Sequence, residues 1–252
     1  MCSWITAAKI IQDYEEKPAD YFYNYVLGLP YSGGDSKLTQ KALFQNLTGV
    51  GTAAETNERV VIGIDTGLKL DYIIRNKRLG LFFQGEAESY KDLDAHMRRW
   101  PKAIAVMDAG GDLIGSREFA ERWKGRVFLV YFTSERKDNE LWSWGEGDKF
   151  GQGTIDRERA IQLVVDEFRT KRIPLQGTES DWYEYYLDWS NLSRIKIFDP
   201  KTNQMRGVKW VRNGRDHRAL ATVLWRMGID KFTDSDAEIV FPKGNTFASA
   251  GY

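Results

Sequence analysis

The sequence predicts an α/β fold. The expected core is a mixed five-stranded sheet, three antiparallel strands and then two parallel ones, flanked by helices and carrying an extra β-hairpin. Three observations predict it. Val60-Val61-Ile62-Gly63-Ile64-Asp65 and Ala103-Ile104-Ala105-Val106-Met107-Asp108 are unbroken apolar runs that each end on an aspartate, the pattern of a strand buried on both faces. Between them lie two more β-rich segments with connections short enough for hairpins. Beyond them helical and strand patterns alternate, which implies parallel strands joined by right-handed crossovers.

A chain of 252 residues suits one large domain or a domain with appended segments. An aromatic content of 13%, including nine Trp, supports a sizeable core. Thirty-six basic and 36 acidic side chains cancel, so the total charge does not advertise a nucleic-acid partner, although it leaves local patches open. Cys2 is the only cysteine, which excludes an internal disulfide framework and a Cys-based zinc site and points to a reducing compartment. With only His96 and His217 available, a His-rich metal site is excluded as well. A metal ion would have to be held by carboxylates, which suits hard ions such as Mg or Mn. No apolar run approaches the roughly 18 residues of a membrane helix, and no signal-peptide pattern opens the chain. A soluble, intracellular protein with no membrane partner is expected.

Residues 1–58 read as a linker or docking segment. Ile5–Tyr14 has helical apolar spacing that stops at Pro18, and Asp20–Tyr31 is an aromatic run closed by Gly28 and Pro30. Leu38–Leu47 suits a short helix, and Thr48–Glu58 is rich in Gly, Thr, Ala and Asn. The core domain spans residues 59–232. Its first three strands are Val60–Asp65, Asp71–Asn76 and Leu79–Gly85, sequential and antiparallel. A helix over Asp92–Trp100 ends at Pro101; the strand Ala103–Asp108 turns through Gly110-Gly111 into a helix over Leu113–Trp123; Arg126–Phe132 is the fifth strand. Residues 138–155, with Trp142 and Trp144 before Gly145-Glu146-Gly147-Asp148, read as a projecting hairpin. Asp156 caps a helix over Ile161–Phe168, and Ser180–Leu192 is an aromatic amphipathic helix. Ile195–Asp199 and Met205–Val211 form another hairpin, and Asp216–Met227 is the last helix. Residues 233–252 form a peripheral tail.

The chemistry is expected where acids gather. If the first and fourth strands are parallel neighbours, Asp65 and Asp108 converge at one sheet edge. Asp216, which opens the last helix after Asn213-Gly214-Arg215, is a natural third member. Two of these have plainer readings, Asp65 as a turn residue before Gly67 and Asp216 as an N-cap. Three gathered carboxylates repel one another and push their pKa values up unless a cation sits among them. Two divalent ions would answer that repulsion and support in-line displacement at phosphorus.

The order of these features resembles the RNase H-like superfamily and, more narrowly, the C-terminal nuclease domain of tailed-bacteriophage large terminases. The resemblance is carried by Val61-Ile62-Gly63-Ile64-Asp65-Thr66-Gly67, by Val106-Met107-Asp108 with Gly110-Gly111, and by Gly214-Arg215-Asp216-His217-Arg218-Ala219-Leu220. Tyr23–Tyr31 is also similar to the segment that follows the packaging ATPase in those proteins. The resemblance implies an RNase H-like sheet in which Asp65, Asp108 and Asp216 bind two Mg or Mn ions. It implies a metal-dependent endonuclease that cuts double-stranded DNA with little sequence specificity during genome packaging in the host bacterial cytoplasm. As partners it implies a terminase ATPase domain, a small terminase subunit and a portal protein. No Gly-x-x-x-x-Gly-Lys-Ser/Thr phosphate loop occurs in the chain, so residues 1–58 read as following an ATPase domain that is absent here.

Around the acids, Arg75, Lys77, Arg78, Lys209, Arg212, Arg215 and Arg218 suit a DNA track or, equally, an ordinary charged surface. Lys69, between the first two strands, is close enough to hold a phosphate, although a solvated lysine is its default reading; His217 points elsewhere on its helix than Asp216, with a phosphate or a metal-bound water as the partner it could reach. Asp112 suits a helix cap better than an outer metal ligand. Trp142 and Trp144 suit a cover over the DNA path as well as packing within a hairpin. Three other readings stay open. One is a Holliday-junction resolvase-like nuclease. Another is a non-catalytic docking module of the packaging motor, its acids structural. The third is an actin-like ATP-binding fold, which suits Gly63-Ile64-Asp65-Thr66-Gly67 but needs a second domain that this core has little room for.

Overall fold

The computed structural model describes residues 6–16, 26, 37–49, 58–76, 79–133, 140–199, 202 and 204–231. Val60–Thr66 (β1), Leu70–Asn76 (β2) and Gly80–Ala87 (β3) form the antiparallel half of the sheet that the hairpin spacing predicts. Ile104–Asp108 (β4) joins β1 in parallel, and Val127–Thr133 (β5) joins β4. The resulting order, β3-β2-β1-β4-β5, is that of an RNase H-like sheet.

The sheet has seven strands rather than five. Gln152–Asp156 (β7) lies parallel to β5, and Trp142–Trp144 (β6) closes the edge antiparallel to β7. The segment expected to project therefore completes the sheet. The reason lies in β5, whose residues Val127, Phe128, Leu129 and Val130 are all buried. An unpaired edge on so apolar a strand would leave a row of N–H and C=O groups without partners. Trp144 packs edge-on against Phe128, with ring centroids 5.5 Å apart. Arg226 lies over the Trp142 ring at 5.6 Å, so both indoles belong to the packing. Leu192–Phe198 (β8) and Met205–Arg212 (β9) form the other expected hairpin, a separate two-stranded sheet.

Among the described residues the α-helices are Ala7–Glu16 (α1), Gln40–Phe44 (α2), Tyr90–Arg99 (α3), Leu113–Arg122 (α4), Arg157–Arg169 (α5), Glu179–Ser190 (α6) and His217–Gly228 (α7). Their starts follow the capping rules: Asp112 Oδ1 accepts the Gly115 N–H at 3.0 Å and Asp156 Oδ1 accepts that of Arg159 at 3.0 Å. Alternation along the strands splits the core into two layers. Val60, Ile62 and Ile64 pack with Leu93, Met97 and Phe119 of α3 and α4. Val61, Ile73 and Val106 pack with Phe168, Trp189 and Trp225 of α5, α6 and α7. Leu38, Leu43 and Phe44 also enter this second layer, and Thr48 N donates to the Leu175 carbonyl at 2.8 Å. Residues 38–49, expected within the docking segment, are thus built into the domain. Most of the aromatic run Asp20–Tyr31, residues 50–57 of the expected linker and the tail 233–252 lie outside the described residues. Among the described residues no helix is long and apolar enough to cross a membrane.

Helix α7 crosses β1 at Gly63. A Cβ there would stand 1.9 Å from the Ala221 carbonyl oxygen and 2.7 Å from Trp225 Cβ, so this close approach requires glycine. Gly63→Ala is expected to destabilise the domain by about 2 kcal/mol or more, because backbone cannot give way as a side chain would. Gly207→Ala, where an added methyl meets nothing within 4 Å, should change stability by less than about 0.5 kcal/mol. Urea unfolding of the two variants checks this, and equal losses would refute the close-packing account.

Candidate metal centre

Strand pairing decides which side chains reach the site. Asp65 lies opposite Asp71 across β1 and β2, and Asp71 lies opposite Glu86 across β2 and β3. In the parallel pair Ile64 faces Met107, so the next step along sets Asp65 beside Asp108. Cross-strand partners share a face of the sheet. Glu86, Asp71, Asp65 and Asp108 therefore form one row across four strands, on the face that α7 covers. Asp216, at the N-cap position of α7, meets this row from above.

Burial makes charge expensive in the row. Asp65 is 4% exposed, Asp71 2% and Asp216 1%. Burial pushes the Asp65 carboxyl up to about 7; the hydrogen bond from His217 opposes this, and the charges of Asp108 and Asp216 add to it. Asp108 is also pushed up by burial, against the backbone N–H groups of Gly110 and Gly111; Gly110 donates to its Oδ1 at 3.0 Å. His217 Nδ1 lies 2.7 Å from Asp65 Oδ2, and this hydrogen bond pushes the imidazole up. Asp216 is the least satisfied of the acids. Its Oδ1 is buried without a hydrogen-bond partner, and its Oδ2 accepts only a 3.4 Å contact from Arg157 Nη2.

A buried carboxylate oxygen without a donor is costly, and a bound cation would satisfy it. Asp65, Asp108 and Asp216 offer oxygen donors only, the chemistry of Mg and Mn, so the residues fit such ions. Among the described residues no three or more acidic, His or Cys side chains are grouped so as to hold a metal ion as they stand. Asp65 Oδ2 meets His217 and Asp216 Oδ2 meets Arg157, so each of these contacts takes one oxygen of its carboxylate.

Apart from His217, which meets Asp65, the expected DNA-contacting residues fall into four groups. Lys69 pairs with Glu86 at 3.3 Å and Glu88 at 2.9 Å. Arg215 pairs with Asp71 and Glu86, and Arg218 Nη2 donates to Glu86 at 3.0 Å. These three cations neutralise one end of the acidic row. Arg75 is drawn under α7, its guanidinium 4.7 Å over the Trp225 ring, so it does not line a surface track. Lys77 and Arg78 lie outside the described residues. Lys209 and Arg212 stand exposed on β9, beside a cavity of about 400 Å³ that is also lined by Arg157, Trp210, Asp216 and Leu220.

Sequence reasoning missed Asp71, Glu86, Arg157 and Asp188. Asp71 had a signal: it and Asp65 each stand three residues from Leu68, so a tight hairpin centred there places them opposite. Glu86 had none, because a bulge between Ile74 and Arg75 shifts the β2–β3 register.

No family model matches the chain, and no curated protein matches it. In fold, the chain is similar to large-terminase nucleases. The large terminase nuclease from thermophilic phage G20c is 13% identical, with a TM-score of 0.45 over 76% of this chain and 98% of that one. A mutant gp2c of the large terminase subunit from bacteriophage sf6, with calcium, is 11% identical, with a TM-score of 0.49 over 75% of this chain and 98% of that one. For the large terminase of another thermophilic bacteriophage the identity is 14% and the TM-score 0.46, and the match spans 92% of this chain but 54% of that one.

The raised Asp65 carboxyl predicts a pH dependence in cation-free protein. Its folded value of about 7 lies above the ordinary 3.8, so it contributes stability that is complete below the ordinary value and lost as pH rises through about 7. Asp65→Asn, which cannot ionise, should therefore show a smaller fall in Tm than wild type between about pH 5 and about pH 8 in EDTA. Identical falls, read by calorimetry, would mean that Asp65 does not hold its proton.

Proposed function

We propose that this chain is a divalent-cation-dependent endonuclease that hydrolyses the phosphodiester backbone of double-stranded DNA with little sequence specificity. The observation that carries this reading is the buried, donorless Asp216 oxygen beside two carboxylates that burial has pushed up. Asp65, Asp108 and Asp216 would hold the ions, two of Mg or Mn. Bound there, the ions would supply the charge stabilisation that phosphodiester hydrolysis needs.

The chain's own residues do the positioning. His217 holds Asp65 Oδ2 through Nδ1 while its ring stays 36% exposed at the rim. Lys209 and Arg212 on β9 offer positive charge for phosphate contacts, which position a duplex without reading its bases. Arg215, Arg218 and Lys69 already compensate acids, so they contribute to the electrostatics of the centre more than to a DNA track. The resemblance of Tyr23–Tyr31 supports a wider proposal: a packaging motor in the host bacterial cytoplasm, with an ATPase domain, a small terminase subunit and a portal protein as partners. In it residues 1–58 follow the ATPase domain, with 38–49 packed into the nuclease that 59–232 form, and 233–252 are a tail.

Plasmid digestion with Mg, with Mn and with EDTA tests the activity. Asp65→Asn and Asp216→Asn should each lower cleavage by roughly 100-fold or more in a folded protein. Cleavage by either variant at the wild-type rate would remove that acid from the site. Selective cutting of four-way junctions would favour a resolvase, and a folded, inactive wild type would favour a docking module.

A further inference from the structure

Asp216 stands at the N-cap position of α7, where an aspartate ordinarily accepts the N–H of the second or third helical residue. It makes no such bond. The N–H of Arg218, the second residue of α7, donates instead to Asp188 Oδ2 at 2.8 Å. Asp188 comes from α6 and is 3% exposed. Its other oxygen faces Arg215 Nε at 3.6 Å. One turn further along, Asn191 Nδ2 donates to the Arg215 carbonyl at 2.8 Å, and the Asn191 carbonyl accepts the Asn213 N–H at 2.8 Å. The end of α6 thus grips the chain on both sides of Asp216.

We propose that Asp188 is a positioning residue of the metal centre: it caps α7 from a neighbouring helix, and so leaves Oδ1 of Asp216 free for a cation. The inference rests on the reading of Asp216 as a ligand. A free N2 amide and a free carboxylate oxygen two residues apart would otherwise bond each other, turning Asp216 back onto its own helix and away from Asp65 and Asp108. Asp188 removes that competitor. Its pairing with Arg215 is the alternative role, one that would hold the fold without affecting ligation. The two roles make different demands: capping needs only an acceptor oxygen, whereas ion pairing needs the negative charge.

The test is Mn(II) binding by the full chain, read from the loss of the free-ion EPR signal, with circular dichroism to confirm folding. Asp188→Ala should weaken binding by about 10-fold or more, as loss of an orienting group typically does. Asp188→Asn, which keeps the acceptor, should stay within about threefold of wild type. In an Asp216→Asn background Asp188→Ala should have no further effect, because no ligand remains to be freed. Wild-type affinity in Asp188→Ala beside lost affinity in Asp216→Asn would overturn the capping role and leave the ligand assignment standing. Unchanged affinity in Asp216→Asn would overturn the assignment itself. If Asp188→Ala does not fold, Asp188→Asn decides alone: retained binding supports capping, and a loss equal to that of Asp216→Asn overturns it.

Discussion

The site depends on how closely α7 lies over β1. Gly63 removes the side chain that would hold the two apart, and Gly228 does the same further along, where a Cβ would come within 2.7 Å of Val106 and 2.8 Å of Val61. A helix docked at two points along its length behaves as a rod. Seating Ala221 and Trp225 against β1 therefore fixes Asp216 and His217, a little over one turn away, above the acidic ends of β1 and β4. Packing in the apolar core sets the geometry of the polar centre.

Charge then divides the row of acids in two. At the β2 and β3 end, Asp71 and Glu86 are matched by permanent cations, Arg215 and Arg218, with Lys69 at the margin. At the β1 and β4 end, Asp65, Asp108 and Asp216 meet only a histidine and a single long arginine contact. Desolvation acts on both ends, but it is compensated from within the chain at only one. A cation from solution would find its deficit at the other. The same division gives Arg215 and Arg218 a role that does not require contact with DNA: they keep the neutralised end in place beside the loop that carries Asp216.

Much of this was legible in the sequence. The runs Val60–Asp65 and Ala103–Asp108 carry their own strand signal, because residues buried on both faces are apolar without alternation, and both appear as β1 and β4. Asp112 and Asp156 read as caps because capping is a local interaction over three residues, and both cap. Residues 142–156 were harder. A hairpin signal says that two segments pair with each other, but nothing local says that one of them also pairs with β5.

The cations show the same limit more sharply. Arg75, Arg215 and Arg218 look alike in sequence, yet one lies over Trp225 and the other two bind carboxylates on β2 and β3. The sequence by itself determined the first five strands, the three candidate ligands and the oxygen-only character of the site, since hydrophobic periodicity and residue type report local burial and local chemistry. Only the tertiary structure decided which charges compensate which. Arg215 and Asp71 are 144 residues apart in the chain, and an ion pair leaves no trace in sequence until the backbone has brought its two halves together.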